Sequence, residues 1–258
     1  MNRSLSIFFC SLGALILLFS CNHENNQPAD EYLVDYEKKT SLSLTAIKTA
    51  INSFGMEDMS ELAEYDIDIY KIFYYTEFQG SRIIASGVIS VPFPINEDLP
   101  LISAHRGTIF AHDEAPSKQI IISGYEIFSS MGFITVIPDM IGFGESEQYI
   151  HPYYNYEYSS GCAVDMIRAS REFIKKIKIT DNGRLFLYGY SEGGYITNAV
   201  HKAIETAGDP ELTVTAVATG AGSYYPVHVM KDIASRETFT SPSYLAFIIY
   251  TYRDIYDW

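Results

Sequence analysis

Cysteine is scarce: the chain has three in 258 residues, at Cys10, Cys21 and Cys162. Two of them fall in the first 21 positions, so the body of the chain keeps a single thiol and no internal disulfide can staple it. Histidine is sparse as well, six in all, and the six are scattered without the paired spacing that sets two ligands on one metal ion. That excludes a sequence-encoded metal site, and no motif calls for a cofactor. Basic residues number 18 against 32 acidic ones, a formal net charge of -14 spread along the whole chain. Such a balance argues against nucleic acid as a partner and against adhesion to anionic lipid by charge, and serves solubility. Long apolar runs are absent too. A membrane-spanning helix needs about 20 apolar residues, and the run over residues 5–19 is shorter than that.

That run nevertheless forms a separate unit. Arg3 is the only charge before it, which is the layout of a cleavable export signal over residues 1–20. Its end, Leu18-Phe19-Ser20-Cys21, resembles the bacterial lipobox, in which the cysteine is lipidated and becomes the new amino terminus. An ordinary signal peptide with an incidental Cys21 is the alternative. The expectation is a lipoprotein of the cell envelope, held to a membrane through lipid on Cys21, with residues 21–36 as a polar tether. Cys162 then reads as a small buried hydrophobe, with a catalytic thiol as the alternative.

What the chain does have is a large apolar fraction, 47%, and many aromatics, 21 of them tyrosine. Several tyrosines lie in the apparently irregular stretch 149–158 and are expected to pack, to face solvent or to line a pocket for carbohydrate or aromatic groups. Residues 45–51 give a short amphipathic helix. Residues 67–78 and 82–91, rich in Ile, Val and Tyr and joined by Gln79-Gly80-Ser81, read as an antiparallel hairpin. From Pro100 strands and helices alternate: strands over 101–104, 133–137, 184–188 and 213–219, helices over 118–131, 160–176 and 195–207. Alternation of this kind predicts a parallel sheet covered on both faces. The expected domain map is a core over 37–222 and the start of a helical cap over 223–258.

Gly189-Tyr190-Ser191-Glu192-Gly193 sits where the apolar strand 184–188 hands over to a helix. A serine on such a turn is forced into a strained backbone that lifts its hydroxyl out of the sheet, and Gly189 and Gly193 let neighbouring elements approach. The bare pattern is common; the strand before it and the helix after it make it a nucleophile elbow. Three further motifs accompany it in order: His105-Arg106-Gly107-Thr108, Pro138-Asp139-Met140-Ile141-Gly142-Phe143-Gly144-Glu145-Ser146, and His151-Pro152-Tyr153.

With these motifs in this order the chain resembles the α/β-hydrolase superfamily, and within it bacterial serine esterases and secretory-lipase-like lipoproteins, from about Ile67 onward. The resemblance implies an α/β-hydrolase sheet and a serine hydrolase acting on small-molecule or polymer-linked carboxylic esters through an acyl-enzyme on Ser191. A serine peptidase of the same fold, or a catalytically silent binding lipoprotein, is the alternative. Glu192 at the helix start would supply one oxyanion N–H. Related proteins carry a His-Gly-Thr type segment after the strand 101–104, so Thr108 is the first choice for the second N–H and Gly107 the next; Arg106 stands where the family has His. Asp139 is expected to fix the Gly142–Gly144 loop, and the Glu192 side chain to be a carboxylate at a helix start.

The superfamily places an acid and then a histidine after the serine. Here only His201 and His228 follow it, with Asp232, Asp254 and Asp257 as acids. Of these His228 and Asp232 are the leading candidates, and His201 lies on a helix that leads away from Ser191. Only one strand, 213–219, follows the elbow. The expectation is therefore a piece of an esterase whose base and acid lie beyond residue 258.

Overall fold

The structure, a computed structural model, describes residues 31–119 and 123–256. Seven strands form one mixed sheet in the order β1-β2-β3-β5-β4-β6-β7. They are β1 (Leu33–Leu42), β2 (Asp66–Phe78), β3 (Ser81–Phe93), β4 (Leu99–His105), β5 (Ile134–Pro138), β6 (Asp181–Tyr190) and β7 (Val214–Gly220). The first three are antiparallel, β3 meets β5 antiparallel, and β5, β4, β6 and β7 run parallel. The antiparallel-then-parallel order read from the sequence is therefore the observed one.

The hairpin turn follows from its two residues. Gln79 and Gly80 both have positive φ, 49° and 71°, as a two-residue loop matching the twist of its strands requires. The sheet extends further than expected at the other end. β1 starts at Leu33, inside the segment assigned to the tether, and Glu172 holds its entrance by accepting the N–H groups of Tyr32 and Leu33. Phe173, fully buried, meets Tyr36 of β1 edge-on at 4.9 Å and Tyr70 of β2 at a tilt at 5.0 Å. Truncating such a buried ring costs about 3–5 kcal/mol.

Helices cover both faces. On one, α4 (Tyr156–Lys176) and α5 (Glu192–Ala207) bury Cys162, Met166, Phe173, Ile196 and Val200 against the sheet. On the other, Ile47 and Ile51 of α1 (Leu44–Ser53) pack with Val88 and Ile137. A short α2 (Glu57–Glu61) follows α1. The Asn155 side chain accepts the Tyr158 N–H to start α4, and Lys175 and Lys176 complement the dipole at its end. Gly208, left-handed at φ 63°, closes α5.

The helix expected over 118–131 is not formed as such: its helical part is α3 (Ile127–Ser130) alone. Glu126 accepts the N–H groups of Ser123 and Gly124, a local turn that competes with helix, and Gly124 sits at φ 107°. Beyond β7 the chain forms α6 (Pro226–Ala234) and α7 (Pro242–Tyr256), the helical segment expected of a cap. Among the described residues no helix is long and apolar enough to cross a membrane. The expected signal and lipid-bearing Cys21 lie outside the described residues.

Candidate active site

Because β5 and β6 lie on opposite sides of β4, the chain reverses its winding there, and in open α/β sheets ligands sit at the carboxyl ends of the strands beside such a reversal. Ser191 stands at that end of β6. Its backbone, φ 58° and ψ −123°, lies where a residue with a Cβ is strained. The turn is held by the Ser191 N–H, which donates to the Gly220 carbonyl at 2.8 Å. A Cβ on Gly189 would run into the Gly193 carbonyl, and one on Gly193 into the His105 carbonyl. The two glycines therefore permit the close approach of α5 to β4 and β6 that the sequence pattern implied.

The loop after β4 reaches the serine. A Cβ built on Gly107 would lie 3.6 Å from Ser191 Cβ. The Thr108 hydroxyl meets that of Tyr153 at 2.9 Å. Arg106, where related proteins have His, is buried. It donates to the carbonyls of Asp139 at 2.8 Å and Gly107 at 3.0 Å, and its guanidinium lies 4.5 Å from the Phe143 ring. It thus fastens the loop by hydrogen bonds and stacking.

Glu192 is the first residue of α5, a carboxylate at a helix start as expected, and it is buried. Its Oε1 lies 2.6 Å from His151 Nε2, and Oε2 is 3.9 Å from Arg106 Nη1. Burial alone would raise its pKa, but His151, Arg106 and the Thr108 hydroxyl hold the carboxyl below the usual range. His151 Nδ1 faces the Ile141 carbonyl at 2.7 Å, an acceptor only, so that nitrogen carries a proton. The motif His151-Pro152-Tyr153 by itself indicates no role for His151. Nothing local ties it to Glu192, 41 residues away.

Asp139 is fully buried, accepting the Ser86 hydroxyl at 2.6 Å and the Ser117 N–H at 2.7 Å. A Cβ on Gly144 would strike its carboxylate, so Asp139 braces the Gly142–Gly144 loop. Cys162 is buried with Sγ 3.0 Å from the Tyr74 hydroxyl, and burial pushes its thiol up to about 12, far from a reactive thiolate.

Among the described residues no histidine is hydrogen-bonded to Ser191. His105 is buried between Ser103 and Thr197, and burial lowers it to about 3, so it is neutral. His201 lies on α5 near Glu205, and His228 is exposed on α6, its ring stacked on Tyr225. Asp232 lines the same cavity as Ser191 but is paired with Arg236. Asp254 is on α7, where its carbonyl faces Gln79, and Asp257 lies outside the described residues. That cavity, about 340 Å³, is walled by Tyr153 and Tyr154 on one side and by α6 and α7 on the other.

Residues 122–231 match the model of the prolyl oligopeptidase family. A hydrolase candidate of Legionella pneumophila superposes with a TM-score of 0.80 at 28% identity, over 88% of this chain and 62% of that one. The rice cell wall degrading esterase LipA of Xanthomonas oryzae superposes with a TM-score of 0.75 at 23% identity, over 89% of this chain and 61% of that one. The chain thus spans about three-fifths of the length of each. No curated protein matches it.

Proposed function

We propose, on the premise that this chain has the α/β-hydrolase fold, that it acts as a serine hydrolase on carboxylic esters with Ser191 as nucleophile. The strained Ser191 backbone at the wall of an apolar cavity carries the reading. Ser191 Oγ would attack the acyl carbonyl while the Glu192 N–H, at the start of α5, and the Thr108 N–H hold the oxyanion. Collapse of the tetrahedral adduct expels the alcohol, which takes the serine proton through a base, and water then releases the acid. The reading assigns the base to a histidine that the described residues do not bring to Ser191, since His105 and His151 are committed elsewhere.

A fluorophosphonate probe should label Ser191, and Ser191→Ala should lose both the label and hydrolysis of a short-chain activated ester while keeping its circular dichroism. A label retained in the Ala variant would overturn the assignment. The match to the prolyl oligopeptidase family favours a second reading, amide hydrolysis with the same parts. Faster turnover of a prolyl amide than of the matched ester would select it, and neither turnover nor label would select a silent binding protein.

We further propose that lipid on Cys21 anchors the protein in the cell envelope, a reading supported by Leu18-Phe19-Ser20 before it. Cys21→Ala should abolish the lipid mass and release the protein from membranes; a mature protein starting elsewhere without lipid counts against it.

A further inference from the structure

The motif His151-Pro152-Tyr153 brings a tyrosine to the wall of the cavity that holds Ser191. Thr108, the second oxyanion donor of the serine-hydrolase reading, lies in the segment 106–110, which belongs to neither strand nor helix. No regular ladder of main-chain hydrogen bonds fixes its N–H, so side chains must. On the buried side Arg106 donates to the Gly107 carbonyl at 3.0 Å. On the cavity side the Thr108 hydroxyl meets the Tyr153 hydroxyl at 2.9 Å.

Tyr153 is itself held from three directions. Its N–H donates to the His151 carbonyl at 2.8 Å. Its ring is stacked on that of Phe247 in α7, with centroids 4.8 Å apart and planes 20° apart, and meets the Tyr154 ring edge-on at 4.5 Å. Only 2% of the residue is exposed. Burial raises the pKa of the hydroxyl, so the group stays neutral and can donate or accept. A ring clamped in this way gives its oxygen one position, and a group bonded to that oxygen inherits it. Resting on the serine-hydrolase reading with Thr108 as oxyanion donor, we infer that Tyr153 is a positioning residue for that donor. Its hydroxyl holds Thr108, and through Phe247 it ties the oxyanion loop to α7. A misplacement of about 1 Å can cost about a hundredfold in rate, so a hydroxyl that takes no part in the bond changes still governs them.

Tyr153→Phe keeps the ring and removes only the oxygen. Fluorophosphonate labelling of Ser191 should slow about tenfold to a hundredfold, and kcat for a short-chain activated ester should fall as much with KM little changed. Thr108→Val removes the same bond from its other end and retains the N–H. It should slow labelling too, and Tyr153→Phe/Thr108→Val should lose no more than Thr108→Val alone, because the two side chains act through one bond. Thr108→Val also carries the test should Tyr153→Phe fail to fold by circular dichroism. Hydrogen exchange of the segment 106–112 reads the positioning without chemistry and should be faster in Tyr153→Phe than in wild type. Equal labelling rates, additive losses or unchanged exchange would overturn the inference. A raised KM at constant kcat would make Tyr153 a substrate contact and equally overturn it. A wild type that takes no label refutes the nucleophile and with it the oxyanion role of Thr108, whereas a labelled wild type beside an indifferent Tyr153→Phe refutes Tyr153 alone.

Discussion

His151 Nε2 and Glu192 Oε1 lie 2.6 Å apart in a site where both side chains are almost wholly buried. Nδ1 faces the Ile141 carbonyl at 2.7 Å, so the ring is held from both sides, by that carbonyl and by the Glu192 carboxyl. The pair therefore ties three segments to the residue after the nucleophile: the turn that presents His151, the loop carrying Arg106 and Thr108, and the first turn of α5. α7 docks on His151 as well, since the Thr251 hydroxyl donates to the His151 carbonyl at 2.8 Å and the Phe247 ring lies 5.6 Å from the imidazole. Glu192 is thus a positioning residue, its carboxylate turned to His151 and Arg106 instead of to the serine.

Replacing Glu192 by Gln leaves the buried Arg106 guanidinium without its counter-charge and changes the partner of His151 Nε2. Removing one partner of a buried pair costs about 3–5 kcal/mol, so chemical denaturation at pH 7 should show a loss of that order. Because the native carboxyl has a lowered pKa, its stabilisation is present above the unfolded carboxylate range and fades as pH falls through the native pKa. The gap between wild type and Glu192→Gln should accordingly narrow toward pH 3. If the pair also holds the oxyanion loop, kcat for an ester should fall at least tenfold with KM little changed. An unchanged kcat would confine the pair to stability.

Gly193→Ala tests the elbow by packing alone. Its Cβ would meet the His105 main-chain carbonyl, which cannot rotate away. Overpacking of this sort costs about 1–3 kcal/mol, and since each kcal/mol shifts Tm by about 2–4 °C in a domain of this size, melting should come several degrees lower. Fluorophosphonate labelling of Ser191 should slow in parallel. An unaltered Tm would mean that α5 can move off β4 without cost.

Asp165 supplies a pH dependence away from the site. Burial raises its pKa from 3.8 to about 6, against the Thr76 hydroxyl bonded to it at 2.8 Å. The native state thus holds this proton more tightly than the unfolded chain. Its contribution is full below pH 3.8 and is lost as pH rises through about 6. Asp165→Asn should therefore gain up to about 3 kcal/mol over wild type at pH 8 and little at pH 4. A gain independent of pH would place the cause elsewhere.

The elements that could be read from sequence are those whose pattern is local. The hairpin around Gln79-Gly80 and the apolar strand before Ser191 each rest on neighbours within a few residues. β1 escaped because Asp35, Glu37, Lys38 and Lys39 break the apolar alternation of an edge strand. The charge has a use that no local pattern reveals: Lys39 Nζ gathers the carbonyls of Ser117 and Gln119, in the segment after β4. The helix over 118–131 was misread because apolar spacing at Tyr125, Ile127 and Phe128 suits a helix, while the Glu126 carboxylate captures the preceding amides. The His151–Glu192 pair joins residues that only the fold brings together.

Among the described residues β7 forms one edge of the sheet, paired with β6 alone. Ala216 and Ala218 are exposed, and their register with Phe186 and Tyr188 sets them on one face of the strand. Nearby, Tyr225 and Val227 are 67% and 56% exposed. An uncharged open edge flanked by apolar surface is a template for pairing with another chain. The chain comprising residues 21–258 should therefore associate as its concentration rises. Light scattering coupled to size-exclusion chromatography over a hundredfold concentration range should show the growing mass, and Ala218→Lys, which places a charge on the edge, should suppress it without lowering Tm. A monomer at all concentrations, or association unaffected by the lysine, would show that this edge is not the contact.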